Sequence, residues 1–416
     1  METALVMEWA SFAARWFHVI AGITWIGSSF YFIALDLGLR KAPDLPEGAY
    51  GEEWQVHGGG FYHIQKYLVA PAKLPEHLTW FKWESYWAWM SGFVLLALVY
   101  YAGADLFLVD PAVLDIPGWV AILISIGSLV FGWIAYDFIC KSKLGENDTA
   151  LMLMLYVLLV VVAWGYTQVF TGRAAFLHLG AFTATVMSAN VFLIIIPNQK
   201  IVTADLQAGR TPEAKYGIVA KQRSTHNNYL TLPVVFLMLS NHYPQAFATE
   251  FNWIIASLVF LMGVTIRHYF NSVHARKGNP MWTWGATAMI FIVIMWLSAF
   301  SPLFEDEAEE VSQLTPAQAH FVEAENFEAV RDIVHGRCAM CHAPETAWDG
   351  IIKAPKGVFL ETDRQIASQA REIFLQSGHT RAMPPANVSD MEDRERRLIV
   401  EWYRGAANRD LLSLLN

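Results

Sequence analysis

Eight long apolar stretches dominate the first three quarters of the chain, near residues 8–35, 86–108, 117–140, 149–170, 174–197, 228–246, 250–270 and 281–301. At about 1.5 Å of rise per residue each is long enough to cross the ~30 Å hydrocarbon layer of a bilayer, so the pattern predicts eight transmembrane helices. The connections between them alternate in charge. Arg40, Lys41, Lys66, Lys73 and Lys82 fall between the first and second stretches, and Lys141 and Lys143 between the third and fourth. Lys200, Arg210, Lys215, Lys221 and Arg223 fall between the fifth and sixth, and Arg276 and Lys277 between the seventh and eighth. The other connections carry only Arg173. The positive-inside rule then places both termini outside the cytoplasm. No basic segment precedes the first stretch, so it reads as an uncleaved first span.

Beyond residue 304 the period shortens. Residues 315–334 read as one amphipathic helix capped by Thr315 with Pro316 at its first position, and residues 390–404 as another starting at Ser389 or Asp390. The expected organisation is all-α: an eight-helix transmembrane bundle over 1–304, an acidic linker over 305–314 and a small soluble domain over 315–416. The long 36–85 connection, with Trp54, Phe61, Tyr62, Trp80 and Trp83 among charges, suggests one or two amphipathic helices at the cytoplasmic interface, with an irregular loop as the alternative. A weak repeat links His18-x9-Ser28-x3-Phe32 to His178-x9-Ser188-x3-Phe192, which fits a four-plus-four duplication or a chance likeness of two apolar helices.

Composition sharpens this picture. The chain has 416 residues, is 55% hydrophobic and holds 17 Trp. After Phe304 there are 12 Lys and Arg against 20 Asp and Glu, whereas the preceding part is nearly neutral. An acidic domain on a neutral membrane part disfavours nucleic acid and suits a basic redox partner. Of three cysteines, Cys140 stands alone at the end of an apolar stretch and reads as inert.

The other two lie in Cys338-Ala-Met-Cys341-His342, the spacing that attaches a c-type haem: two thiols take the two vinyl groups and the imidazole ligates iron. Met383, before Pro384 and Pro385, is the expected second ligand, since a thioether raises the reduction potential. A leading helix, this motif, a Met loop and a closing helix follow the order of a class I cytochrome c. Such a haem is attached outside the bacterial cytoplasm, which agrees with the charge rule.

Ionisable groups inside a membrane are costly and mark function. His18, His178 and His242 fall in the outer half of their stretches. His18 and His178 are the preferred pair for a b-type haem, with His242 as a substitute; hydrogen bonding between helices is the competing role. A second group gathers at the inner boundary: Asn198 and Gln199, then Arg223, His226, Asn227 and Asn228, then Arg267 and His268. Guanidinium, amide and imidazole donors at one level suit a planar anion, while capping of helix ends and snorkelling explain them equally well.

Three segments carry a resemblance. They are Arg15-Trp-Phe-His18 with Trp25-Ile-Gly27-Ser-Ser-Phe30, Met187-Ser-Ala-Asn190 with Ile196-Pro-Asn-Gln-Lys200, and His226-Asn-Asn-Tyr-Leu-Thr-Leu-Pro233 with Ser240-Asn-His242-Tyr-Pro244. Over essentially its full length the chain resembles the bacterial membrane-bound urate hydroxylase (urate oxidase) family with a fused C-terminal cytochrome c. The first segment also resembles small haem-b membrane proteins of the protoporphyrinogen oxidase type. The resemblance implies that urate and water give 5-hydroxyisourate, with electrons leaving through haem to a terminal oxidase or soluble cytochrome and no hydrogen peroxide. His226, Arg267 and His268 are then the candidate catalytic groups, and Asn198, Gln199, Arg223, Asn227 and Asn228 the candidate substrate contacts. A quinol:cytochrome c oxidoreductase, or a transporter with a redox sensor, would use the same membrane histidines.

Overall fold

The computed structural model describes residues 3–67, 74–300, 314–349, 351 and 354–413. The expected acidic linker, 305–314, lies outside them except for Leu314. The described chain is mostly helical. A bundle is built from α1 (Thr3–Gly38), α2 (Trp83–Leu96), α3 (Gly118–Lys141), α4 (Asp148–Thr167), α5 (Gly172–Ala189), α6 (Ala214–Leu239), α7 (Asn252–His274) and α8 (Trp282–Phe300). Two helices change pitch. α2 runs on as a π-helical turn over Ala97–Tyr101, and α5 passes through a π-turn over Asn190–Ile195 into Ile196–Gln207. Among the described residues six helices are long and apolar enough to cross a membrane. α2 falls short because its α-helical part is brief. α6 falls short because its first half carries Lys215, Lys221, Arg223, His226, Asn227 and Asn228.

The helices are longer than the apolar runs that betrayed them. The run near 228–246 sits in a helix that begins at Ala214, so His226 to Asn228 are mid-helix and not its opening. Asn198 and Gln199 lie inside the extension of α5, and Arg267 lies two turns before the end of α7. Polar residues were read as helix ends because hydrophobicity stops there, but backbone hydrogen bonding does not.

The connection after α1 corrects the all-α expectation. It holds an antiparallel hairpin, β1 (Ala49–His57) and β2 (Gly60–Tyr67), with Val56 opposite Phe61 and His57 opposite Gly60. Gly58 and Gly59 form its two-residue turn at φ of 61° and 81°, a conformation that glycine adopts without a Cβ penalty. The aromatic and β-branched residues alternate along the strands instead of following a helical period. Trp54 stacks on His63 with ring centroids 4.1 Å apart. Tyr31 at the end of α1 donates to Gln55 at 2.7 Å, which holds the hairpin against the bundle.

The C-terminal unit has its own core, in which Phe321, Phe327, Ile399 and Trp402 are buried. The helix expected over 315–334 is two: α9 (Pro316–Val322), with a Thr315–Gln318 capping box, and α10 (Phe327–Arg337). The break falls at Asn326, whose φ of 69° interrupts helical hydrogen bonding and which asparagine tolerates better than most residues. α11 spans Asp393–Ser413, later than expected. Met391 therefore precedes the helix, and it is buried in this core. The unit rests on one end of the bundle. Arg364 pairs with Asp110, Arg371 pairs with Glu8 at 2.9 Å, Leu106 packs on the unit's core, and Gly357 meets Pro244. The start of α1, the α2–α3 connection and the α6–α7 connection thus share the end that carries the unit. The hairpin lies at the other.

Candidate active site

α6 is the hub of the buried polar groups. Successive residues on a helix point about 100° apart, so His226, Asn227 and Asn228 face three different neighbours. His226 Nδ1 hydrogen-bonds the Tyr136 hydroxyl of α3 at 2.7 Å. Asn227 donates to the Met187 carbonyl of α5 at 2.9 Å and accepts from Asn190 at 3.1 Å. Asn190 also donates to Tyr136 at 2.9 Å. The π-turn of α5 begins at Asn190, and such turns re-aim a side chain out of the regular helical spacing. One turn earlier on α6, Arg223 is 1% exposed. It donates to Asp137 Oδ1 at 2.6 Å and lies 4.9 Å from the Tyr136 ring centroid. Lys141 takes the other oxygen of Asp137 at 2.6 Å.

Asn228 looks towards α7 instead. Its Oδ1 accepts from Asn271 at 2.9 Å and, more weakly, from Arg267 Nε at 3.4 Å. Arg267 Nη2 donates to Asn271 Oδ1 at 3.0 Å, and the guanidinium lies over the Phe30 ring of α1 at 4.1 Å. Arg267 is 5% exposed, yet among the described residues no carboxylate pairs with it. The close contact of α6 and α7 needs Gly263, where a Cβ would fall 2.5 Å from the Pro233 ring.

The structure thus divides the expected inner group. His226, Asn227 and Arg223 form one cluster, and Asn228 and Arg267 another across the same helix. His268 joins neither: it is exposed, with its ring 6.1 Å from that of Trp282. Gln199 is exposed, and Asn198 makes only a long 3.4 Å bond to the Tyr216 carbonyl.

The expected haem b pair does not converge. His18 packs on α2 through Ala88, Ser91 and Gly92, where its Nδ1 donates to the Ala88 carbonyl at 3.0 Å. His178 lies beside Tyr100, eight residues or about 12 Å further along that helix. Two axial nitrogens on one iron lie roughly 4 Å apart, twice a metal–nitrogen bond of about 2 Å. The rings of Tyr100, Tyr166 and Phe170 surround His178, whose Nδ1 donates to the Ala174 carbonyl at 2.8 Å and whose buried Nε2 has no partner among the described residues. His18 and His178 thus contact different parts of α2. His242 stands where the bundle meets the C-terminal unit, its pKa pushed below the ordinary value by partial burial and by the cations of Lys356, Arg15 and Arg173.

In the C-terminal unit the C-x-x-C-H turn follows α10 directly. His342 Nδ1 donates to the Val358 carbonyl at 2.9 Å, which leaves Nε2 as the ring nitrogen available to a metal. Burial, reinforced by the neighbouring Cys341, pushes the Cys338 thiol up to about 12. The Met383 loop is held by buried Arg396, which donates to the carbonyls of Ser377 at 2.7 Å and Met383 at 2.9 Å and to Asn387 at 2.9 Å. Trp402 is buried, with its indole N–H on the Phe321 carbonyl at 2.9 Å, and Tyr403 stacks between Phe321 and Phe374. A paired thiol turn, an imidazole oriented from behind and a thioether on a braced loop are a donor set that fits a covalent haem.

The sequence profile of the family described as urate oxidase N-terminal matches residues 4–298. The chain belongs to that family. No curated protein sequence and no solved structure matches it. Membership in the urate oxidase N-terminal family points to urate-related oxidoreductase chemistry and takes in α1 to α8 up to residue 298. The C-terminal unit lies beyond the matched region. Within the matched part, the sequence reading passed over Tyr136, Asp137, Asn190, Asn271 and Phe30. Asp137 carried a usable signal, as an acid near the end of an otherwise apolar helix. Asn271 carried another, four residues after Arg267 and so on the same face.

Proposed function

We propose that the protein oxidises urate to 5-hydroxyisourate in a membrane-spanning bundle and passes the electrons to a haem c in its C-terminal unit. Family membership over residues 4–298 is the observation that carries this reading. The balance is simple: urate and water give 5-hydroxyisourate, two protons and two electrons. Oxygen is not the direct acceptor, so no hydrogen peroxide forms. Cys338, Cys341, His342 and Met383 would hold a haem c, which would supply one-electron transfer, so each urate would require two transfers.

The chain's own residues do the rest. The donor-rich faces of α6 bind and orient the planar anion, and the surrounding apolar helices exclude bulk water. His226, hydrogen-bonded to Tyr136 within the buried Arg223 cluster, is the imidazole that stores a proton released in the bundle as electrons leave, without touching the anion itself. All eight helices cross the cell membrane, with the N-terminus and the C-terminal unit on the periplasmic side, where a terminal oxidase or soluble cytochrome removes the electrons.

A second reading, quinol oxidation, is favoured by one feature. A cavity of about 60 Å³ lined by Leu155, Leu158, Phe182, Val186 and Phe260 reaches Tyr136 and His226, and its wall is almost wholly apolar. The two readings separate in one assay of purified protein with urate and soluble ferricytochrome. The urate reading expects urate consumption, 5-hydroxyisourate by mass and two ferricytochromes reduced per urate. No urate consumption, together with ferricytochrome reduction by a short-chain quinol, would sink it.

A further inference from the structure

We propose that the guanidinium of Arg267, with the amides of Asn228 and Asn271, seats the substrate as an anion, on the α7 side of α6 and away from Arg223. This rests on the urate reading above and locates its binding site.

Charge is the first argument. An ionised group taken out of water costs several kcal/mol unless it is compensated. Arg223 has that compensation in Asp137 at 2.6 Å. Arg267 is comparably buried, and among the described residues its hydrogen bonds go to neutral amides and its guanidinium lies over an aromatic ring. Among those residues no carboxylate pairs with it, and an anionic ligand would supply the counter-charge.

The orphaned hydrogen-bonding atoms make the second. Asn228 is fully buried and its Nδ2 has no acceptor, although its Oδ1 is doubly used. A buried donor without a partner costs about 1–3 kcal/mol. Free donor capacity on an amide beside a guanidinium matches a ring edge that presents a carbonyl oxygen and a deprotonated nitrogen. Pro233 has no N–H for the Tyr229 carbonyl, which removes one regular helical hydrogen bond one residue from Asn228.

Orientation comes third. Phe30 lies under the guanidinium at 4.1 Å and covers one of its faces. The donors of the fork lie in its own plane, which suits a ligand that presents two acceptors side by side.

The test is equilibrium dialysis of labelled urate against detergent-solubilised, dithionite-reduced full-length protein, in which turnover is blocked. The unaltered protein is expected to bind. Arg267→Gln should weaken binding by at least about tenfold. Asn271→Asp, nearly isosteric, brings a carboxylate to the guanidinium; it should raise the melting temperature while weakening urate binding by a similar factor. If Arg267→Gln does not fold, Asn271→Asp decides alone. Undiminished binding in the variants that fold would overturn this placement and leave the urate reading standing. Failure of the unaltered protein to bind urate would instead overturn the urate reading itself, and this site with it.

Discussion

Two arginines buried beside α6 have opposite surroundings. Arg223 faces α3, where Asp137 and Lys141 complete an ionic chain and Tyr136 lies against the guanidinium. Arg267 faces α6 from α7 and has amides and Phe30 but no acid. The same side chain, equally excluded from water, is in one place part of the fold's internal charge balance and in the other a charge left open. An arginine whose charge is already met contributes to structure. One whose charge is not met is kept at a cost to stability, which is the expected signature of a binding site.

Removing each in turn should separate the two roles. Arg267→Gln should lower kcat/KM for urate by about 100-fold, the loss of two charge-assisted hydrogen bonds, while the melting temperature holds or rises; steady-state kinetics beside thermal melting checks both. Arg223→Ala leaves Asp137 with only the exposed Lys141 as its partner and should cost about 2 kcal/mol of stability, seen as a lower melting temperature and poor yield. Adding Asp137→Asn to that variant should recover part of the loss, because the half-met charge is gone. A smaller effect belongs to the electron exit. Met383→Ala should lower the potential of the haem c in a redox titration and leave urate binding to the reduced protein unchanged. The smallest is expected at the seam between bundle and unit. Arg364→Glu should slow urate-driven reduction of haem c by no more than about fivefold, with the swap Asp110→Arg in the same chain restoring the rate.

How much of this was legible in the sequence depends on the kind of signal. The apolar runs fall on α1 to α8, six of which are long and apolar enough to cross a membrane among the described residues. They misplaced the helix ends wherever polar side chains continued the rod, so His226 to Asn228 read as caps when they are interior. The hairpin was missed although Gly58 and Gly59 sit between alternating residues, since aromatic and charged positions were read at a helical period. The C-x-x-C-H turn and the Met383-Pro-Pro stretch stand out in the sequence as local patterns, because the haem chemistry proposed for them needs that spacing. The division of the inner polar group into two clusters was not. Which neighbour a side chain faces depends on how helices pack, and three consecutive residues on α6 point to three different helices. The pairing of His18 with His178 rests on the same kind of signal: the repeat gives matching positions along two helices, while the contacts each histidine makes with α2 depend on packing.

The most direct test is an anaerobic visible spectrum of the oxidised, purified protein recorded before and after urate is added. The account predicts a sharp reduced c-type α-band on addition of urate, reached at far lower urate concentration in the unaltered protein than in Arg267→Gln. Reduction by dithionite with no response to urate in the unaltered protein would contradict it.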